Sequence, residues 1–227
     1  MTLDRPAALI FDWDNTLVDS WGTIHAALNT MFVQMGHEPW TMAETRIKVR
    51  KSLRDAFPPL FGDRWEEARD LYLQAFEALH LERLAPLADA EALLQAIADE
   101  GHYLALVSNK TGRFLRREVA ALGWEHYFSK VIGAGDASRD KPDRAPVDLA
   151  LGGSGIEAGP RVWFVGDTGI DMACALNAGC VPILVHGPED GLQGNDEFAD
   201  AKPARHFRDC MALAREISQM RTCNGRV

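Results

Sequence analysis

Short apolar runs recur along the chain, each bounded by polar turn or capping residues. The runs cover residues 7–11, 103–107, 130–133, 161–165 and 181–185. Runs of this length without an alternating polar face are typical of strands that are buried on both faces of a sheet. The pattern therefore predicts five strands.

Helical periodicity fills most of the intervals between these runs. Residues 91–100, 113–122 and 170–178 each stop beside a glycine, namely Gly101, Gly123 and Gly179. Glycine readily takes the left-handed conformation that ends a helix. After residue 185 the chain has the composition of a loop, and a closing helix is predicted near residues 209–220. Because strands and helices alternate, we predict an α/β fold with a parallel sheet.

Residues 21–86 interrupt this alternation, because they contain no strand-like run. Thr41 and Glu44 form a capping-box pattern at the start of one helix, and Gly36 and the Pro58-Pro59 pair divide the interval. We predict a helical cap domain of residues 21–86. It is inserted after the first strand of a core domain that comprises residues 1–20 and 87–227.

Composition limits the partners of the chain. Its 227 residues, 47% of them hydrophobic, suffice for one core with a smaller insert. The net charge of −9 argues against nucleic acids and anionic membranes, which need a basic face. The start lacks a signal-like pattern, no segment has the roughly 20 apolar residues of a membrane span, and the four cysteines form no zinc or disulfide pattern. We expect a cytoplasmic monomer or homodimer with a small-molecule partner.

Two pairs of acids follow predicted strands. Asp12 and Asp14 follow the first strand, and Asp167 and Asp171 follow the fourth. The carboxyl ends of parallel strands form the ligand crevice of an open sheet, so these side chains are expected to converge. The competing interpretation is that acids serve turns and helix N-caps, which would account for one member of the second pair.

Four converging carboxylates require a cation among them. Each close pair repels by up to ~4 kcal/mol at the effective dielectric of such sites. Oxygen ligands without histidine or cysteine select a hard ion, and Mg²⁺ suits a site that also handles phosphate. The sequence therefore predicts Mg²⁺ as the cofactor.

Two further motifs offer groups to an anion. Ser108 and Asn109 end the second predicted strand and supply a hydroxyl and turn amides, while Lys141 follows the third strand and supplies a positive charge. Taken alone, the first motif fits a plain Ser-Asn turn better than an anion site, and a lone lysine in a loop is usually solvated. The joint order of all four motifs, each at the carboxyl end of a predicted strand, favours a functional site over separate turns.

Together the four motifs resemble those of the haloacid dehalogenase superfamily. The strings Phe-Asp-x-Asp-x-Thr-Leu-Val-Asp-Ser, Ser-Asn-Lys and Gly-Asp-Thr-x-x-Asp-Met most resemble its phosphoglycolate phosphatase-like branch. The resemblance implies a Rossmann-like core with a helical cap inserted after the first motif. Asn15 stands where many relatives have glycine, and we expect it to take the positive φ of a tight turn because asparagine tolerates that conformation.

The resemblance also implies roles for the motif residues. Asp12 would attack phosphorus and become an aspartyl phosphate, and Asp14 would act as general acid and base. Mg²⁺ would bind Asp12, Asp167 and the backbone carbonyl of Asp14, with Asp171 nearby. The phosphoryl oxygens would be held by Ser108, Asn109 and Lys141, and Lys141 would also offset the acids.

Other activities share parts of this pattern. A phosphomutase of the β-phosphoglucomutase type shares every core motif. A dehalogenase would have no use for Asp14 or Asp167, and a phosphonate hydrolase would need a cap lysine such as Lys48 or Lys51. A non-catalytic binding module on the same fold is expected to have lost Asp12, Asp14 or Lys141, yet all three are present.

A basic stripe in the predicted cap is a candidate for substrate selection. Arg46, Arg50 and Arg54 recur every four positions after the capping box and would line one helix face. An arginine there could hold the carboxylate of a phosphoglycolate-like substrate in a bidentate manner. The competing interpretation is a solvated face of the helix.

Overall fold

The computed structural model describes residues 3–49, 51–185 and 198–223, with side chains to residue 220. Within them six strands form one parallel sheet in the order β3-β2-β1-β4-β5-β6. The strands are β1 (Ala8–Phe11), β2 (Tyr103–Thr111), β3 (Lys130–Ala134), β4 (Val162–Gly166), β5 (Val181–Val185) and β6 (Arg205–Phe207).

Helices cover both faces of the sheet and fill the interval between β1 and β2. That interval contains α1 (Trp21–Gln34), α2 (Met42–Lys48), α3 (Leu53–Phe61) and α4 (Trp65–Leu79). The remaining helices are α5 (Ala90–Asp99), α6 (Gly112–Ala121), α7 (Ala145–Leu151), α8 (Gly169–Asn177) and α9 (Cys210–Cys223). None of the helices within the described residues is both long and apolar enough to cross a membrane.

The central strands are buried on both faces, as their apolar runs predict. Leu9 and Phe11 of β1 pack into one layer with α5, α6 and α9, whereas Ala8 and Ile10 pack into the other with α7 and α8. Successive side chains of a strand point to opposite faces, so one apolar run serves both layers. The α/β prediction with a parallel sheet is confirmed.

The strand prediction needs two corrections. A sixth strand, β6, pairs with the edge strand β5, although its three residues include Arg205 and His206 and resemble an exposed loop. Strand β2 runs to Thr111 instead of ending at Val107, and its pairing with β3 changes register between these two residues. Residues 108–110 therefore lie in the irregular end of a strand and not in a turn after it.

The helices between β1 and β2 share an apolar cluster of their own. Phe57, Tyr72 and Phe76 are buried in it together with residues of α1. Pro58 and Pro59 lie inside α3 and do not separate helices as predicted, although neither can donate a backbone hydrogen bond. Phe57, directly before them, is buried in this cluster. The division into domains at residues 21 and 86 stays a prediction.

The predicted helix face with Arg46, Arg50 and Arg54 does not form. Helix α2 ends at Lys48, Val49 is extended with ψ 98°, and α3 starts after Ser52, so Arg46 and Arg54 belong to different helices. The Ser52 hydroxyl donates to Asp55 three residues later, which is typical of a new helix start. Arg50 lies outside the described residues.

A close backbone approach brings the start of α6 against β3. A side chain at Gly133 would overlap the backbone of Gly112, the first residue of α6. We predict that Gly133→Ala destabilises the protein by about 1–3 kcal/mol, because backbone must move to make room. Thermal melting measures this change. Gly22→Ala in α1 is the control, since the added methyl meets open space, and equal melting temperatures for both variants would contradict the prediction.

Candidate active site

The first and fourth motifs meet at the carboxyl edge of the sheet. Strand β1 lies between β2 and β4. Strands β2 and β3 follow on one side of β1, and β4, β5 and β6 follow on its other side, so the strand order reverses at β1 and β4. The carboxyl ends of such strands at the switch point form the ligand crevice. Asp12 follows β1 and Asp167 follows β4, and the Asp12 N–H donates to Val165 at 2.8 Å. The predicted convergence of the acid pairs is present in the structure.

A buried lysine lies between two of these acids. The Lys141 ammonium is 2.7 Å from Asp12 Oδ1 and 2.6 Å from Asp171 Oδ1. One carboxylate oxygen each from Asp12, Asp167 and Asp171 lies within 4.8 Å of the others. All four side chains are buried, so the charges interact in a medium of low dielectric constant.

Burial sets the direction of the pKa shifts in this cluster. Burial, with the added repulsion of Asp171 and Asp14, raises the pKa of Asp12 to about 6 in spite of Lys141. Burial and the charges of Asp171 and Asp12 raise the pKa of Asp167 well above its ordinary value. For Lys141, burial alone would lower the pKa, but the two carboxylates raise it instead.

Asp171 caps helix α8 and also binds Lys141 in the crevice. Its Oδ2 accepts hydrogen bonds from the Thr168 N–H at 3.0 Å and the Thr168 hydroxyl at 2.6 Å, which caps α8. Its Oδ1 binds Lys141. The position before the turn must be glycine, because a side chain at Gly166 would overlap Asp171. The two sequence interpretations of Asp171 therefore both hold.

Asp167 is the acid whose ionised form a bound metal ion would stabilise most. Its hydrogen bond comes from the Thr16 hydroxyl at 3.1 Å. The three acids with Lys141 carry a formal charge of −2 when ionised. A buried excess of negative charge on oxygen ligands fits a hard divalent cation such as Mg²⁺.

Ser108 and Asn109 lie beside this cluster and differ in their hydrogen-bond partners. Both line the crevice. The Asn109 side chain accepts from the Lys141 N–H at 3.0 Å and donates to the Lys141 carbonyl at 3.1 Å, so it fixes the lysine backbone. The Ser108 hydroxyl accepts from the Lys110 N–H at 3.2 Å.

The tight turn after β1 holds Asp14 toward the crevice. Asn15 takes a φ of 62°, as expected for asparagine in place of glycine, and its side chain accepts from the Ser20 N–H at 3.1 Å. Asp14 is 18% exposed and lies 2.6 Å from the Lys110 ammonium. No predicted role belongs to Lys110, which is the third residue of the Ser-Asn-Lys string.

A buried acid outside the four motifs lies behind Lys110. Glu118 of α6 is 2.5 Å from the Lys110 ammonium and also contacts Trp13 and His80. The available signal was its position, because Glu118 shares the buried stripe of α6 with Leu115 and Val119. Acids are almost never fully buried unless they are paired.

Apolar side chains of the helical insertion form the opposite wall of the crevice. They are Trp21, Ile24, Val49, Leu53, Tyr72, Leu73 and Phe76. Among the described residues, the cation that the insertion adds to this lining is Lys51.

Three other basic residues of the insertion contact partners outside the acid cluster. Arg46 lies over the Trp21 ring, 5.8 Å from its centroid, and Arg54 pairs with Asp140 at 2.5 Å. Lys48 pairs with Glu44 at 3.3 Å. None of these three side chains lines the crevice beside the acid cluster.

Comparison with known proteins gives one consistent result. A family model described as haloacid dehalogenase-like hydrolase matches residues 9–185. The phosphoglycolate phosphatase of Cereibacter sphaeroides is 30% identical over 179 residues, which is 75% of this chain and 81% of that protein. The phosphoglycolate phosphatase of Xanthomonas campestris is 31% identical over 179 residues, with 77% and 80% covered.

Solved structures agree with this match. A HAD-superfamily hydrolase from Ehrlichia chaffeensis shares 30% sequence identity and a TM-score of 0.65, covering 96% of this chain and 99% of that one. A haloacid dehalogenase-like hydrolase from Bacteroides fragilis has a TM-score of 0.82, covering 92% and 100%. At 21% identity, the latter supports the fold alone.

The charge excess predicts how Asp167→Asn changes stability. In EDTA at pH 8 the variant should melt above the wild type, because the folded state disfavours ionised Asp167. The pKa of Asp167 is raised in the folded state, so the ionised side chain destabilises the wild type at high pH. The higher stability of the variant should therefore be present at high pH and disappear as the pH falls below the ordinary value of 3.8. Mg²⁺ at about 100 times its Kd should raise the wild-type melting temperature by roughly 5–10 °C and leave the variant almost unchanged.

The control is Asp70→Asn, which removes an exposed acid paired with Arg69. This variant should keep the full response to Mg²⁺. An equal Mg²⁺ response in the Asp167→Asn protein would rule out Asp167 as a ligand.

Proposed function

Since this chain belongs to the haloacid dehalogenase-like hydrolases, we propose that it is a Mg²⁺-dependent phosphatase that hydrolyses a small organic phosphomonoester. The observation that carries the proposal is the position of the Lys141 ammonium between Asp12 and Asp171, next to Asp167. A nucleophilic carboxylate with a fixed cation beside it suits the transfer of an anionic phosphoryl group.

In the first step, the Asp12 carboxylate attacks phosphorus and the ester P–O bond breaks. Asp14 gives its proton to the leaving oxygen, so an alcohol departs and Asp12 carries an acyl phosphate. In the second step, Asp14 takes a proton from water, whose oxygen attacks phosphorus. The bond to Asp12 breaks, which releases inorganic phosphate and restores the carboxylate.

Lys141 and Ser108 are proposed to hold the phosphoryl oxygens. Lys141 is fixed through its backbone by Asn109, so its ammonium is preorganised where negative charge develops. Mg²⁺ bound by Asp12, Asp167 and the backbone carbonyl of Asp14 would supply positive charge that offsets the acids and the phosphoryl group. Asp171, which is occupied by Lys141 and Thr168, is proposed to act from outside the ligand set.

The residues that line the crevice indicate which substrate it could bind. Curated relatives of this chain are phosphoglycolate phosphatases, and a substrate of that kind presents a carboxylate besides its phosphate. Lys51 is the described basic residue of the insertion that lines the crevice, and we propose it for that carboxylate in place of Arg46 or Arg54. The predicted cytoplasmic location and the choice between monomer and homodimer stay predictions.

Two alternatives differ from this proposal in their products. A phosphomutase would return the phosphoryl group to the substrate and release little inorganic phosphate. A phosphonate hydrolase would use a crevice lysine to cleave a carbon–phosphorus bond, and Lys51, unlike Lys48, lines the crevice beside the acids. Assays of phosphate release from phosphomonoesters and from a phosphonate separate the three activities.

The proposal predicts Mg²⁺-dependent release of inorganic phosphate from phosphoglycolate and from p-nitrophenyl phosphate. EDTA should abolish turnover, and Asp12→Asn should remove it while leaving the fold intact, because the two side chains have the same shape. Lys51→Ala should raise KM for phosphoglycolate and leave p-nitrophenyl phosphate almost unaffected, because only phosphoglycolate carries the second anion. Turnover by Asp12→Asn within tenfold of the wild type would refute the nucleophile.

A further inference from the structure

Glu118 is a buried acid on a helix face that is otherwise apolar. Its side chain is 1% exposed, and Phe114, Leu115 and Val119 share the buried face of α6. A leucine there would pack without a buried charge, whereas a carboxylate taken out of water costs several kcal/mol unless it is paired and hydrogen-bonded. The proposed hydrolysis assigns Glu118 no part.

Both oxygens of Glu118 are nevertheless satisfied. Oε2 accepts from Trp13 Nε1 at 2.7 Å and from the Lys110 ammonium at 2.5 Å. Oε1 lies 2.9 Å from His80 Nδ1. An ionised carboxylate only accepts, so His80 donates this bond.

Lys110 connects this buried acid to the crevice. Its ammonium lies between Glu118 Oε2 and Asp14 Oδ1, 2.5 and 2.6 Å away, and the side chain is 4% exposed. The Phe76 ring covers the ammonium from the insertion, with its centroid 5.2 Å away. A buried ammonium with two carboxylate partners has little freedom to move, so Glu118 fixes the position of the cation that holds Asp14.

We propose that Glu118 is a positioning residue, which fixes Lys110 so that its ammonium orients the Asp14 carboxyl toward the leaving oxygen. This inference rests on the proposed role of Asp14 as general acid. A displacement of about 1 Å at a reacting group costs roughly 100-fold in rate. His80 is the C-terminal capping residue of α4, so the insertion contributes one member of the network.

A purely structural role for Glu118 makes a different prediction. Buried ion pairs contribute little net stability, and replacing both partners by apolar residues of similar volume is often neutral or stabilising. A structural pair would therefore affect all substrates alike, through the fraction of folded protein. A positioning residue affects substrates according to how much their leaving group needs a proton.

The test is Glu118→Gln, which keeps the shape and one acceptor oxygen but removes the charge. The ratio kcat/KM is measured with Mg²⁺ for phosphoglycolate and for p-nitrophenyl phosphate, because it contains only the steps up to departure of the leaving group. We expect a loss of roughly 10- to 100-fold for the alkyl phosphate and less than about threefold for the nitrophenyl ester, which needs little protonation. The inhibition constant of inorganic phosphate should be unchanged, since Lys141 and Ser108 are intact.

The matched control is Glu77→Gln. Glu77 of α4 pairs with Arg117 of α6 at 2.7 Å, and both side chains are about half exposed. The pair thus joins the same two helices at the surface, away from Asp14. This variant should keep wild-type kcat/KM for both substrates.

The double variant Lys110→Met/Glu118→Leu decides the question if Glu118→Gln does not fold. It removes both charges of the buried pair together, so we expect it to fold, although Trp13 and His80 lose the acceptor that Glu118 provides. It should show the same loss in kcat/KM, selective for the alkyl phosphate. Equal losses for both substrates, or no loss, would overturn the positioning role. A wild type without Mg²⁺-dependent turnover would overturn the proposed function as well, whereas an active wild type with an unchanged substrate ratio in the variants overturns the positioning role alone.

Discussion

The burial of Lys141 between Asp12 and Asp171 is the interaction on which the rest of the site depends. An ammonium group removed from water requires close carboxylates, and the carboxylates in turn require a cation. The surrounding residues hold this pair in place: Asn109 binds the lysine backbone, Thr168 holds Asp171, and Gly166 leaves room for it. Asp167 remains beside the pair with a hydrogen bond from Thr16, and its excess charge favours a metal ion.

The crevice repeats this arrangement on its other side. Lys110 lies between Asp14 and Glu118 as Lys141 lies between Asp12 and Asp171. Each acid proposed to react is thus held by its own buried ammonium, and a second acid behind it anchors that ammonium. The two acids differ in exposure. Asp12 is buried at the carboxyl end of β1, whereas Asp14 is partly exposed to the crevice.

The strand ends made the meeting of Asp12 and Asp167 predictable from the sequence. Neighbouring parallel strands bring their carboxyl ends to one edge, so motifs that follow strands converge whatever the details of packing. The pairing of Lys110 with Glu118 was not predictable in this way. The place of Glu118 on the apolar stripe of α6 was a signal of its burial. A charged residue in an amphipathic helix is usually solvent-exposed, however, and nothing in the sequence indicates that Lys110 is its partner.

The predicted basic stripe of the insertion does not form, because the helix it requires is interrupted. A four-residue spacing places side chains on one face only if the helix is continuous, and extended Val49 with Ser52 at a new helix start breaks it. Arg54 then reaches Asp140, next to Lys141, and not the crevice. Strand β6 escaped prediction because three residues at a sheet edge carry too little apolar pattern.

The proposal that Asp12 accepts the phosphoryl group can be tested by rapid acid quenching during turnover. Wild-type protein mixed with excess phosphoglycolate and Mg²⁺ is quenched within milliseconds, digested, and analysed by mass spectrometry for peptides that carry a phosphoryl group. We predict a phosphorylated peptide that contains Asp12. Hydroxylamine should remove the modification, as expected for an acyl phosphate, and the modified peptide should be absent in Asp12→Asn. Phosphate release without any phosphorylated peptide, or with the phosphoryl group on another residue, would contradict it.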